Sequence, residues 1–366
     1  MRLAFGSKSK SVPAAALSPL LNLGCGSHFH PEWTNVDLAP RDARVIRHDL
    51  REPLPFADAQ FDAVYHSHVL EHLPRPEAPR FLAECFRVLR PSGTLRVVVP
   101  DLENPTFHGV LRGLSRAAAR DGYHVLIADS AESVAEERIL AVETRRRCDG
   151  IVLCAPRMPE DDLRPLLSQL MPVVLVNRET GSASTPVVAA DYRGGLGELL
   201  DLLYGDGHRS MVYLAGAPQS ASNVQRLAAV RDFLHDHPDT AIQVLSCGVN
   251  FADGYDAVER VLASSATGIL AFNDLVAMGL LSALSERGVS VPGQVSVVGF
   301  DDIPFARYMT PPLTTASVPV VELGEQAWQR MSDLLNQRPL GPAIFFRPRI
   351  ERRASTGPVR LSEAIR

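Results

Sequence analysis

Lysine is nearly missing from this 366-residue chain: Lys8 and Lys10 are the only two, and arginine supplies the rest of the positive charge. With 37 basic and 42 acidic residues the formal net charge is −5, which gives no electrostatic reason to expect a polyanionic partner. Cysteine is scarce too. Cys25, Cys85, Cys148, Cys154 and Cys247 are odd in number and form no Cys-x-x-Cys pair. That pattern excludes a small disulfide scaffold and points to reduced thiols in a cytoplasmic protein. No apolar run reaches the ~18 residues of a membrane span. The short apolar stretch near the N-terminus is broken by proline and ends in no A-x-A signal, so a secretory leader is not expected.

Hydrophobic residues make up 46% of the chain and charged residues 22%, the balance of a globular protein. The length favours two domains. From about residue 20 onward, short apolar runs alternate with amphipathic stretches. Thirteen candidate strands run from LLNLG, TNVDL, VIRHD and AVYHS through TLRVVVP, HVLIAD and GIVLC to GILAF and VSVVGF. Helical patterns such as Pro76–Leu89, Pro105–Arg120 and Asn223–His235 fall between them. Buried strands separated by helices mean α/β layers with parallel sheets, and so many strands require more than one sheet.

Residues 21–26 read LNLGCG, an apolar strand entering a Gly-x-Gly turn, and Asp37 ends the next strand. Glycines there allow close backbone approach to a ligand, and a carboxylate after the second strand can accept from ribose hydroxyls; a purely steric role for the glycines stays open. With HDLREPLPFADAQFDAVYHSHVLEHL and RVLRPSGTLRVVVPDLE following in order, about residues 20–102 resemble class I S-adenosylmethionine-dependent methyltransferases. The resemblance implies Gly24, Cys25 and Gly26 at the methionine end of S-adenosylmethionine, Asp37 at its ribose and Asp49 near its adenine. By the same resemblance His68, Glu71 and His72 lie where the family has its fourth-strand loop facing the cofactor; a helix-start cluster with no chemistry is the alternative. Glu71 and His72 are adjacent with no third ligand at metal spacing, so no zinc site is expected. The family's sheet has seven strands and this stretch supplies five, so a truncated Rossmann-like sheet with little or no methyl transfer is expected.

From about residue 97 to 357 the text changes. RCDGIVLCA, MPVVLVNR, VAADYRGG, GILAFNDLVAMGLLSAL and VPGQVSVVGFDDIPFARYMTPPLTTASVP resemble the effector-binding part of lactose-repressor-type (LacI family) regulators, which are related to periplasmic sugar-binding proteins. The resemblance implies a two-lobed periplasmic-binding-protein-like (type I) domain with three crossovers and its ligand in the cleft. The first lobe would hold about 94–190 and 319–338, the second about 191–318 and 339–357, with 1–93 as the methyltransferase-like segment and 358–366 as a tail. It places Asn177, Arg226, Asn273 and Asp301 around a small-molecule effector, sugar-like in kind, with Phe107 and Phe251 as flat apolar walls, and it implies a homodimer. Independently of that resemblance, Asn273 and Asp301 follow strands, where ligands of open α/β sheets bind, and Arg226 offers a fork of donors. Helix capping by Asn273, a turn role for Asp301, helix core for Phe107 and a solvated helix position for Arg226 are the alternatives.

Such regulators read DNA through a helix-turn-helix headpiece of about sixty residues. The methyltransferase-like segment stands in its place, so no operator-specific DNA binding and no membrane contact are expected. Effector binding leads, with methyl transfer and operator-bound repression as alternatives; no cofactor is required for it. Both resemblances claim the strand Thr94–Pro100. A strand has two edges, and HVLIAD with GIVLC would occupy both. That strand is therefore expected in the second sheet system, leaving the first segment four strands with AVYHS at the edge.

Overall fold

The computed structural model describes residues 17–359 apart from 27–28, 67–68, 70–71, 75, 90–92, 147 and 182–184. The chain divides into two compact units between residues 92 and 93. In the first, β1 (Leu20–Leu23), β2 (Thr34–Asp37), β3 (Val45–Arg47) and β4 (Ala63–His66) form a parallel sheet in the order β3-β2-β1-β4. Helix α1 (Ala78–Val88) follows and buries Phe81, Cys85 and Val88 against Leu21, Leu23 and Phe61. The guanidinium of Arg87 donates to Leu54 O and Phe56 O, both at 2.9 Å, and pairs with Glu84 at 2.7 Å, tying the 54–58 loop to the end of α1. As expected, four strands remain here and β4 is the edge strand; beyond it lies one bridge, Phe61 to Leu89.

The second unit holds two six-stranded sheets. The first comprises β5 (Gly93–Val99), β6 (Tyr123–Asp129), β7 (Gly150–Cys154), β8 (Val173–Val176), β9 (Val187–Ala190) and β15 (Ile344–Phe346), all parallel, in the order β15-β9-β8-β7-β5-β6. The second comprises β10 (Ser210–Ala215), β11 (Ala241–Ser246), β12 (Gly268–Ala271), β13 (Ser296–Asp301), β14 (Thr314–Ser317) and β16 (Arg349–Glu351), in the order β11-β10-β12-β13-β14-β16, antiparallel only at β14–β16. Strands β7, β8, β9, β12 and β13 are buried throughout, because helices cover both faces of a parallel sheet.

Helices α2 (Pro105–Arg120), α3 (Val134–Arg145), α4 (Glu160–Leu170) and α10 (Val320–Leu335) pack on the first sheet or on one another; α5 (Tyr192–Gly205), α6 (Ala221–Asp236), α7 (Phe251–Asp256), α8 (Val258–Ala263) and α9 (Asp274–Glu286) belong with the second. Helices α2 and α10 meet backbone to backbone. A Cβ on Gly324 would stand 2.1 Å from Val110 O, and one on Gly113 2.0 Å from Val321 O.

The chain passes between lobes after β9, after β14 and between β15 and β16. The last crossing corrects the expected boundary. Residues 339–357 do not all join the second lobe: Ile344–Phe346 pair with Val188–Ala190 in the first sheet, and only Arg349–Glu351 reach the second. The physical reason is the edge of β9, which β15 covers before the chain crosses.

Candidate functional site

Strand ends of both lobes converge on a cavity of about 460 Å³, open mouth included. From the first lobe come Asp101 beyond β5, Thr106 and Phe107 in the first turn of α2, Arg157 beyond β7 and Asn177 beyond β8. From the second come Ser222 and Arg226 on α6, Phe272 and Asn273 beyond β12, and Asp301 at the end of β13. The carboxyl ends of strands form this crevice, as open α/β sheets require.

Arg226 is 1% exposed, its guanidinium carbon 4.1 Å from the centre of the Phe300 ring and 4.5 Å from those of Tyr192 and Phe272. Its Nε and Nη1 are buried without any hydrogen-bond partner. Rings can hold a guanidinium in place, but they leave its N–H groups unpaired, and a buried unpaired donor is costly.

Asp301 sits at φ +107, a strained backbone for a non-glycine residue. Burial pushes its carboxyl up to about 6, while Arg226 and the hydrogen bond from Thr106 act the other way. That bond, Thr106 Oγ1 to Asp301 Oδ2 at 3.0 Å, joins the two lobes across the cavity floor. Behind it, Asp274 is fully buried and accepts from Thr315 Oγ1 at 2.6 Å and Ile303 N at 2.8 Å. Burial and the neighbouring Asp301 raise its pKa well above the ordinary carboxyl value.

The two asparagines serve the frame. Asn273 caps α9 by accepting from Val276 N at 2.9 Å and donates to Val249 O at 2.8 Å. Asn177, at φ +55, accepts from Ala190 N at 3.0 Å. Capping and cavity lining therefore coexist at Asn273.

Of the expected effector residues, Phe107, Asn177, Arg226, Asn273 and Asp301 line this cavity, and Phe251 does not. Phe251 is 43% exposed because it opens α7 just after the Asn250 capping box; Phe272 and Tyr192 supply aromatic surface instead. Residues not foreseen include Thr106 and Arg157. Arg157 is fixed by Glu132 through Nε at 2.6 Å and Nη2 at 2.8 Å and donates from Nη1 to Ala155 O at 2.9 Å. Its backbone N–H donates to buried Glu137 at 2.7 Å, whose carboxyl burial raises to about 7. The strand-end rule applied to β7 would have reached Arg157.

In the first unit the turn after β1 has Gly24 at φ +68 and Gly26 at φ +54. A Cβ on Gly24 would stand 2.4 Å from Val69 Cγ2, whereas nothing lies within 4 Å of the corresponding position on Gly26. Asp37 accepts from Gly26 N at 2.8 Å and Ala39 N at 2.9 Å. Cys25 is buried, its thiol pushed up by burial and by Asp37. Asp49 is bound by Arg51, Nε to Oδ1 at 2.9 Å, which holds its carboxyl at about 2. Gly26 thus leaves open space beside its backbone, while backbone N–H groups engage both carboxylate oxygens of Asp37 and Arg51 holds Asp49. His68 and Glu71 lie outside the described residues. Among the described residues no group of three or more His, Cys, Asp or Glu could hold a metal ion, and no helix is long and apolar enough to cross a membrane.

Comparison with known proteins finds two kinds of match. A family model described as a periplasmic binding protein-like domain matches residues 200–356, and one described as a methyltransferase domain matches residues 21–97. The HTH-type transcriptional regulator AscG of Escherichia coli (strain K12) is 31% identical over 273 residues, spanning 72% of this chain and 80% of AscG. The crystal structure of that repressor superposes with a TM-score of 0.63, covering 72% of this chain and 99% of the solved one. GalR of the same strain is 31% identical over 273 residues, spanning 72% of this chain and 78% of GalR. A LacI family transcriptional regulator from Enterococcus faecium, solved with bound ribose, is 26% identical with a TM-score of 0.65, covering 73% of this chain and all of that one.

Proposed function

Since the chain belongs to the LacI family of transcription regulators, we propose that residues 93–357 are its effector domain and that the effector is a neutral, sugar-sized polyol. The observation that carries this reading is Arg226, a nearly fully buried guanidinium with two unpaired N–H groups on the cavity wall. A hydroxylated ring complements it: ring oxygens accept from Arg226, hydroxyl protons go to Asp301, and C–H faces lie against Phe107 and Phe272. The ribose carried by the Enterococcus faecium relative supports that ligand class.

The lobes read as about 93–190, 319–338 and 344–346 for the first, with 191–318 and 349–357 for the second, and the working form as a homodimer. Residues 21–97 match a methyltransferase domain, and operator-specific DNA binding is not part of this reading. S-adenosylmethionine, when bound, supplies an electrophilic methyl group. Gly26 and Asp37 would hold it here by backbone approach and ribose contact. The described residues ahead of β5 offer a four-stranded sheet, and methyl transfer is not part of this reading.

Calorimetry of the full chain against monosaccharides, nucleosides and S-adenosylmethionine tests it. Saturable binding of at least one sugar is expected. Tight binding of S-adenosylmethionine alongside silence from every sugar would overturn it.

A further inference from the structure

The turn that aims Asp301 into the cavity is fastened from outside it. Asp301 and Asp302 lie at φ +107 and +58 in succession. Neighbouring residues with side chains keep such a backbone only where their surroundings impose it. Two fastenings are close at hand: Ile303 N donates to the buried Asp274 carboxyl at 2.8 Å, and Val318 N donates to Asp301 O at 3.4 Å. The third is Arg353, just beyond β16. Its Nη2 donates to Asp302 Oδ1 at 2.6 Å and its Nη1 to Leu313 O at 2.8 Å. One guanidinium thus clamps the turn after β13 to the residue before β14.

Arg353 is itself held. Its backbone N–H donates to Thr314 Oγ1 at 2.9 Å, and Ala354 N donates to Pro312 O at 3.0 Å. Ser355 exchanges two bonds with Val297 of β13, its carbonyl accepting from Val297 N at 2.9 Å and its hydroxyl donating to Val297 O at 2.6 Å. The segment is stitched to β13 and β14, so the planar fork it carries is set in place. The Arg353 and Asp302 side chains are only 13% and 15% exposed, and salt screens such a pair little. A buried ion pair adds little stability over apolar side chains of like volume, whereas removing one partner strands the other. Loss of Arg353 would leave the Asp302 carboxylate unpaired beside Asp274, which already feels both Asp301 and Asp302. The turn would then open toward solvent and swing Asp301 off its line. Arg353 does not line the cavity.

We propose that Arg353 is a positioning residue for effector binding: by fixing Asp302 it sets the direction of the Asp301 carboxyl, and so the affinity of a ligand that Arg353 never touches. This rests on the effector reading above.

The test is calorimetry of the full chain with ribose, galactose and glucose, the tightest binder being carried to the variants. Sugar-dependent shifts in melting temperature extend the measurement to weak binding. Arg353→Met is expected to weaken binding about tenfold, within the range of couplings between residues of one network. Arg353→Lys, which keeps the charge but not the fork, should recover part of that loss. Asp302→Ala breaks the same link from its other end and should weaken binding alike, with the double variant losing no more. In an Asp301→Ala background there is no carboxyl to aim, so Arg353→Met should cost less than about twofold there. A merely structural role would instead cost the same in both backgrounds. Undiminished affinity in both Arg353→Met and Asp302→Ala, or a tenfold loss that persists in Asp301→Ala, would overturn the positioning role and leave the sugar reading intact. Thermal melting without sugar confirms that each variant is folded. No binding of any of these sugars by the parent chain would overturn both.

Discussion

Replacing Arg226 by Met separates what the guanidinium does for the fold from what it does for a ligand. In the ligand-free chain Nε and Nη1 are buried and unpaired, and each such donor costs about 1–3 kcal/mol. Against that, the guanidinium lies over the Phe300, Tyr192 and Phe272 rings at 4.1, 4.5 and 4.5 Å, and a desolvated cation–π contact returns about 2 kcal/mol or more. Methionine removes the unpaired donors, fills similar length and regains sulfur–aromatic contact of about 0.3–1.5 kcal/mol. The two sides nearly balance below about pH 6, where Asp301 is protonated and loses no charge partner, so there the ligand-free variant should melt at or above the temperature of the parent. Binding has no such balance. Loss of a charged donor to ligand oxygens costs about 1.5–3 kcal/mol, or roughly 10- to 150-fold in affinity. Thermal melting with and without sugar, beside calorimetry, reads both quantities on one preparation. A variant that melts far lower without ligand, or one that binds sugar with undiminished affinity, would refute the reasoning: the first makes Arg226 a structural group, the second places the ligand elsewhere.

Asp301 predicts a pH dependence. Its folded carboxyl sits at about 6 against an ordinary 3.8, so the folded chain keeps a proton that the unfolded chain releases, and Asp301 weakens the ligand-free fold increasingly as pH rises through that window. A ligand that donates to the carboxylate favours its charged form, so sugar affinity should rise about tenfold between pH 5 and 7.5 and stay flat in Asp301→Asn; Glu137→Gln removes the other carboxyl titrating near 7. Gly324→Ala should destabilise the second unit by about 1–3 kcal/mol in chemical denaturation, because its Cβ would stand 2.1 Å from Val110 O; an unchanged midpoint would mean α2 and α10 can separate freely. Gel-shift titration at physiological salt should show no preference for a palindromic operator over random DNA, and nanomolar selectivity would restore the repressor reading. Limited trypsin digestion should leave a resistant fragment beginning near Gly93, since the first unit has a small core and leaves Phe86 76% exposed; a stable N-terminal fragment would contradict that.

Much of the cavity lining was legible because strand ends are legible. Asn273 and Asp301 stand directly after apolar runs, and that position alone brings them to a crevice. Arg226 is different: nothing in RLAAVRDF distinguishes a solvated helix arginine from one under three aromatic rings. Its placement follows from Tyr192, Phe272 and Phe300, which are far apart in sequence. Phe251 was misplaced for the converse reason, since an aromatic after a strand says nothing about which way the first turn of a capped helix faces. Strand β14 escaped notice because its residues are polar. Thr314 and Thr315 are fully buried only by virtue of partners elsewhere, Thr315 donating to Asp274 at 2.6 Å and Thr314 sharing a hydrogen bond with Thr356 at 3.1 Å. Strands β15 and β16 are three residues each, too short for any alternation to register.

Strand β5 shows where similarity and structure part company. The methyltransferase match runs to residue 97, well into β5. Yet β5 pairs with β6 from Gly93–Tyr123 to Val99–Asp129 and with β7 from Leu95–Gly150 to Val98–Leu153, which occupies both of its edges. Similarity is scored residue by residue, and GTLRVVV satisfies an apolar-strand pattern whichever sheet receives it. Pairing is decided by which sheet can fill both edges and bury both faces. Leu95, Val97 and Val99 enter the same apolar cluster as Leu114 of α2 and Trp328 of α10, so removing β5 would open the centre of the first lobe. The four-stranded sheet instead ends at β4, half-exposed along its length. What the first unit keeps is the turn after β1 and the carboxylate after β2, the parts a nucleoside would touch. The strand that would have continued its sheet is spent on holding Asp101, Thr106 and Phe107 against the cleft of the effector domain.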